Sequence, residues 1–171
     1  MKISQKLPQF NEKHTLVVTM GNHHGIVYKV MDGEVEKIEE LRIEQPQYSD
    51  NEGSFRQGGS NNISFGSVLE PKKGEYEHRF SKEIADKVWE YFKQNKVDQI
   101  FLFRPKDIDH LIERDWHNDL KKITLIRFDG NHVSGAPNEL LETIKNKWES
   151  DSKTKPTGVA KKILDKFLNR K

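Results

Sequence analysis

The residues best placed by type and spacing to do chemistry lie in the polar stretch Arg56-Gln57-Gly58-Gly59-Ser60-Asn61. A glycine pair lets the backbone reach positive φ or lie flat against a ligand, and four polar side chains surround it. The pair sits in a longer segment, residues 46–79, that carries five glycines (Gly53, Gly58, Gly59, Gly66, Gly74) and no sustained period. Connections longer than about 12–15 residues are uncommon in compact domains and are usually functional or disordered. The segment therefore reads as the working loop. A second candidate is the tail, where Lys155, Lys161, Lys162, Lys166, Arg170 and Lys171 give a basic amphipathic stretch suited to a polyanion such as RNA. The competing reading of the tail is a solvated amphipathic helix, with Val159, Ile163, Leu164, Phe167 and Leu168 as its apolar side.

Other chemistries lack their residues. With no cysteine, disulfides and thiolate metal sites are excluded, which fits a reducing cytoplasm. There is no Walker-type loop, no spaced-glycine nucleotide fingerprint and no Gly-x-Ser-x-Gly elbow. His23 and His24 are adjacent in a turn, and neighbours on a strand point to opposite faces, so a shared metal is awkward and two exposed turn histidines are expected. His132 follows the last strand-like run, where it either orients a ligand or ties down its loop; the second role is favoured. Trp89 and Trp148 fall on apolar helical faces and are expected in the core, leaving Trp116 as the tryptophan for a surface contact. No metal and no cofactor is called for.

The elements that must hold these residues follow from apolar periodicity. Thr15-Leu16-Val17-Val18-Thr19-Met20 suits a buried strand, a glycine-bounded turn follows, and Ile26 to Met31 forms the return strand. Asp32-Gly33 then predicts a two-residue hairpin into a third strand, residues 34–44, whose parity slips at Ile38 as at a bulge. Past the loop, Phe80, Ile84, Ala85, Val88, Trp89 and Phe92 have the spacing of one helical face, with Ser81 as the cap and Asn95 as the stop. Ile100-Phe101-Leu102-Phe103 predicts a strand covered on both faces, residues 104–107 open a second helix, residues 123–128 form a strand, and Pro137 starts a third helix.

This order predicts an α/β fold: a ribonuclease H-like mixed sheet, with an antiparallel three-stranded meander followed by βαβα units and helices on its faces. At 171 residues one domain is expected, with residues 1–13 as a flexible lead-in, 14–149 as the body and 150–171 as linker and tail helix. The first strand holds no carboxylate, which removes the metal-dependent chemistry of ribonuclease H-like nucleases. Apolar runs fall well short of the roughly 18 residues of a membrane span, and a cytoplasmic protein without a membrane partner is expected.

Four stretches in this order, Val27-Tyr28-Lys29-Val30-Met31-Asp32-Gly33-Glu34, Phe80-Ser81-Lys82-Glu83-Ile84-Ala85, Ile100-Phe101-Leu102-Phe103-Arg104-Pro105 and Pro137-Asn138-Glu139-Leu140, together with Gly58-Gly59, resemble the middle domain of the class-1 peptide chain release factors of archaea and eukaryotes. They also resemble its bacterial relatives, the host-attachment or release-factor-like proteins. The resemblance implies a ribosome- or RNA-binding protein of translation. In release factors a Gly-Gly-Gln loop enters the peptidyl transferase centre and positions the water that cleaves peptidyl-tRNA. Here Ser60 follows the glycines and Gln57 precedes them, so the hydrolytic motif is not intact. Two alternatives stand beside RNA or ribosome binding: a non-catalytic protein-binding adaptor, and peptidyl-tRNA hydrolysis with Gln57 as a displaced helper.

Overall fold

The computed structural model describes residues 1–44 and 69–154, with side chains described for 1–44 and 74–150. In chain order the elements are β1 (Thr15–Met20), β2 (His24–Met31), β3 (Glu34–Arg42), α1 (Leu69–Gln94), β4 (Gln99–Arg104), a 3-10 turn (Lys106–Ile108), α2 (Asp109–Asp115), α3 (Asn118–Ile123), β5 (Thr124–Asp129) and α4 (Pro137–Thr154). The strands make one mixed sheet in the order β3-β2-β1-β4-β5. β1 to β3 form the antiparallel meander, while β4 runs parallel to both β1 and β5. The fold is mixed α/β, as the apolar patterns predict.

β1 and β4 are buried at every residue, because each has a strand on both sides and helices over both faces. Strand alternation sends Leu16, Val18, Met20, Ile100 and Leu102 to one face, where they meet Phe80, Ile84 and Val88 of α1 and Ile112 and Leu120 of α2 and α3. Val17, Phe101 and Phe103 point the other way, onto Leu140, Leu141 and Ile144 of α4. The hairpin turn has φ of 48° at Asp32 and 76° at Gly33, the doubly positive pair that the Asp-Gly signal requires. The parity slip is also real. Val27 pairs with Glu39 and Tyr28 with Lys37, which leaves Ile38 as the extra residue of a bulge.

Four features differ from the sequence reading. The first long helix begins at Leu69, not near Phe80, so the proposed loop of residues 46–79 loses its last eleven residues to α1 and Ser81 lies buried inside the helix instead of capping it. The apolar spacing does start at Phe80. Upstream the helix continues without such a stripe, with Pro71 in its first turn, where a missing N–H costs little, and an Arg79 Nε–Glu83 Oε1 pair at 2.7 Å. The second helix is in fact a 3-10 turn and two short helices, α2 and α3, broken where Trp116 and His117 take extended backbone angles. α4 runs on to Thr154, through residues expected to open a linker. The opening residues 1–13, expected to be loose, pack on the sheet. Ile3 and Phe10 are buried, Ile3 N donates to Gly33 O, and Val35 N donates to Met1 O, both at 2.8 Å. Among the described residues no helix is long and apolar enough to cross a membrane.

Candidate functional site

Because β1, β4 and β5 are parallel, their carboxyl ends and the turns that follow them gather along one edge of the sheet, the position where open α/β sheets bind ligands. Asn22, just past β1, ties this edge together. Its Nδ2 donates to Glu77 Oε1 of α1 at 2.9 Å and to Asp107 Oδ2 after β4 at 3.4 Å. One residue further on, the His23 carbonyl accepts from Ile43 N at 2.8 Å, which fixes the end of β3 to the same turn. Gly25 lets α1 come this close: a Cβ there would lie 3.0 Å from Phe80 Cζ and 3.0 Å from Thr19 O. The end of β3 and the stretch of α1 around Glu77 and Phe80 thus meet beside the carboxyl end of β1, while α1 itself begins eight residues before Glu77, at Leu69.

Below this edge lies a network of ionised groups. The Arg104 side chain, 7% exposed at the end of β4, contacts Asp129 at the end of β5 and reaches Asp109 at the start of α2. Its Nε is 2.6 Å from Asp109 Oδ1, in ionic contact but out of line for a hydrogen bond. Arg127 extends the network to Asp109, at 3.6 Å, and to Glu113. The Arg127 guanidinium hydrogen-bonded to Glu113 holds that carboxyl below the ordinary range, against the opposing effect of burial. Each arginine is neutralised by carboxylates, so the network clamps β4, β5 and α2 together and offers no spare positive charge. The loop after β5 closes over the same edge. Gly130 N donates to Arg104 O at 3.0 Å, and the His132 ring packs edge-on against Phe103 at 5.1 Å, with Nε2 3.4 Å from Asp129 O. His132 ties its loop down, the role favoured from sequence.

The residues singled out as loop candidates, Arg56, Gln57, Gly58, Gly59, Ser60 and Asn61, lie outside the described residues, and so do the tail candidates Lys155, Lys161, Lys162, Lys166, Arg170 and Lys171. For the others the placement is direct. His23 and His24 are half-buried, not exposed: His24 Nε2 lies 3.0 Å from Glu40 Oε1, and His23 Nδ1 is buried with no hydrogen-bond partner among the described residues. Trp116 is not a surface residue. It is 2% exposed, and its indole N–H donates to Thr124 Oγ1 at 3.2 Å, because α3 folds over it. Trp148, expected in the core, is 36% exposed, with its ring 5.6 Å from both Phe10 and Phe101.

Sequence reasoning passed over Asn22, Arg104 and Arg127. The available signal was positional: Asn22 stands just beyond the carboxyl end of β1, Arg104 at that of β4, and Arg127 two residues before that of β5. Among the described residues no group of three or more histidines or carboxylates is arranged to hold a metal ion. No family model matches the chain, and no curated protein matches its sequence.

Proposed function

We propose that this chain is a translation-associated protein that binds RNA or the ribosome, on a ribonuclease H-like frame resembling a release-factor middle domain. One observation carries the reading: Ile43 bound to His23, and Glu77 bound to Asn22, bring the end of β3 and the first part of α1 to a single edge of the sheet. The strand order β3-β2-β1-β4-β5 and the long helix that receives this chain support the comparison. The proposed contacts are Arg56, Gln57, Gly58, Gly59, Ser60 and Asn61 within that stretch, with the basic tail adding affinity that is independent of sequence. Binding, not hydrolysis, is the proposed activity, since Ser60 follows the glycine pair where the release factors carry glutamine.

Co-sedimentation of the full chain with ribosomes tests this. Association at low salt that weakens steeply as salt rises is expected. A chain that stays at the top of the gradient at low salt overturns the reading.

A second reading, a protein-binding adaptor, has its own support. Glu77, Asp107, Asp109, Glu113 and Asp129 outnumber the two arginines, Arg104 and Arg127, that pair with three of them, so the described part of this edge is no cradle for phosphate. Removing residues 155–171 separates the two. Loss of RNA binding from a folded body favours the first; unchanged RNA binding with loss of a protein partner favours the second.

A further inference from the structure

On the far side of α1 from β3, the break between α2 and α3 leaves a cavity of about 310 Å³, at the small end of the roughly 300–1,000 Å³ usual for ligand sites. Its wall is an aromatic stack. The rings of Trp89 and His117 lie 3.6 Å apart between centroids and 15° from parallel. Aromatic side chains usually avoid such face-on overlap, preferring offset or edge-on pairs with centroids about 4.5–7 Å apart. The Trp89 ring is half-buried and fixed on a long helix, with Phe92 stacked 5.3 Å away and Lys93 Nζ 5.9 Å from its centroid. His117 is the opposite case: its side chain is 46% exposed, and it stands on a two-residue connection.

The geometry points to a nucleobase site in which a flat heteroaromatic ring takes the place of His117 against Trp89. The polar groups around the cavity suit the edge of a base. The Asp86 carboxylate and the Asn118 amide both line it and have no side-chain partner among the described residues; one accepts from an exocyclic amine, and the other both donates and accepts. The remaining charged groups are already engaged. Asp115 accepts two bonds from Arg114, at 2.7 and 2.9 Å, and Lys121 Nζ donates to Glu113 O at 2.5 Å. The cavity therefore offers stacking and hydrogen bonding from a carboxylate and an amide, not a phosphate cradle. This is how single-stranded RNA bases and free nucleotides are both held by their rings. The inference stands apart from the ribosome reading, since it uses neither residues 45–68 nor the tail.

The test is calorimetric titration of the full chain with AMP, GMP, CMP and UMP, and with a short single-stranded oligoribonucleotide. Binding is expected to weaken by roughly tenfold or more in Trp89→Leu, which removes the stacking surface. It is expected to tighten severalfold in His117→Asn, which vacates the ring position. His117 Nδ1 accepts from Asp119 N at 3.3 Å as the cap of α3, and asparagine keeps a capping acceptor, so this variant stays folded. If Trp89→Leu does not fold, His117→Asn alone decides.

Binding by mononucleotides identifies a free nucleotide as the source of the base; binding by the oligonucleotide alone identifies an RNA strand. No binding to either the native chain or His117→Asn, or binding indifferent to both variants, overturns the inference. A chain that binds nucleotides but does not co-sediment with ribosomes keeps this site and loses the ribosome reading, and the converse result does the reverse.

Discussion

Helix α1 is continuous, yet its two parts live in different surroundings. From Phe80 onward Phe80, Ile84, Ala85 and Val88 are buried against the sheet. From Leu69 to Arg79, about 16 Å at the helical rise, no side chain from Gly74 on is buried; Tyr76 rests partly on the core, and Glu77 is held by Asn22. At Gly74 an added Cβ would meet nothing within 4 Å. The first part is a helix because it has a core to face. The second is a helix because it continues the first, adding backbone hydrogen bonds without a new nucleation cost.

Substitutions sharpen this contrast most at Phe80. It is 1% exposed, and Phe80→Ala is expected to cost about 3–5 kcal/mol through lost burial and a residual cavity. Glu75→Ala, five residues earlier and exposed, is expected to stay within about 0.5 kcal/mol. Urea midpoints measured side by side check both, and comparable losses would mean that the upstream part is as integral to the core as the rest.

Gly25→Ala probes the junction of the two parts from the opposite wall. The new methyl would stand 3.0 Å from Phe80 Cζ, 3.0 Å from Thr19 O and 3.2 Å from Ile84 Cδ1, and the backbone oxygen cannot step aside. A loss of about 1–3 kcal/mol is expected, as for other overpacked cores. A neutral result in the same urea series would mean that α1 lies farther from β2 than these distances state.

Gly74→Ala should move stability the other way. An alanine in a helix interior with open space around it gains roughly 0.5–1 kcal/mol over glycine. The gain should appear as slower amide exchange over the first turns of α1, with little change at Phe80 or beyond. Uniform slowing along the whole helix would erase the distinction between its parts.

The same contrast explains what the sequence made legible. Strands β1 to β5, the Asp32-Gly33 turn, the bulge at Ile38 and the core face of α1 all write their burial into apolar spacing or turn chemistry, so they were predictable. The start of α1 was not, because Lys72, Lys73, Glu75 and Glu77 follow no apolar period and Gly74 and Pro71 read as loop residues. α3 was missed for a related reason: at six residues it is too short to show a stripe, and hiding it also misplaced Trp116. Of the candidate site, the chain that fills the gap between β3 and α1 was visible by composition. The tie between the end of β1 and α1 was not, since Asn22 and Glu77 are 55 residues apart and only the fold brings them within 2.9 Å.

Toward its other end α1 meets a histidine from the start of the chain, His14, whose protonation burial disfavours. His14 Nε2 lies 3.1 Å from the Tyr91 hydroxyl, with the two rings edge-on at 5.7 Å. Burial, followed by the nearby positive charge of Lys29, pushes the His14 pKa below its ordinary 6.5, outweighing the opposing influence of the Lys96 backbone and the Asp98 carboxylate. Above pH 6.5 both the folded and the unfolded chain hold this ring neutral, and its contribution to stability is complete. As pH falls below that value the unfolded chain takes the proton first, so stability declines until the folded form also titrates. The fall in urea midpoint between about pH 7.5 and pH 5.5 should therefore shrink in His14→Gln, which keeps a polar partner for Tyr91 without the titration. If the variant shows the same fall as the native chain, the pH sensitivity lies elsewhere and this end of α1 is no more strained by protonation than the end at Leu69.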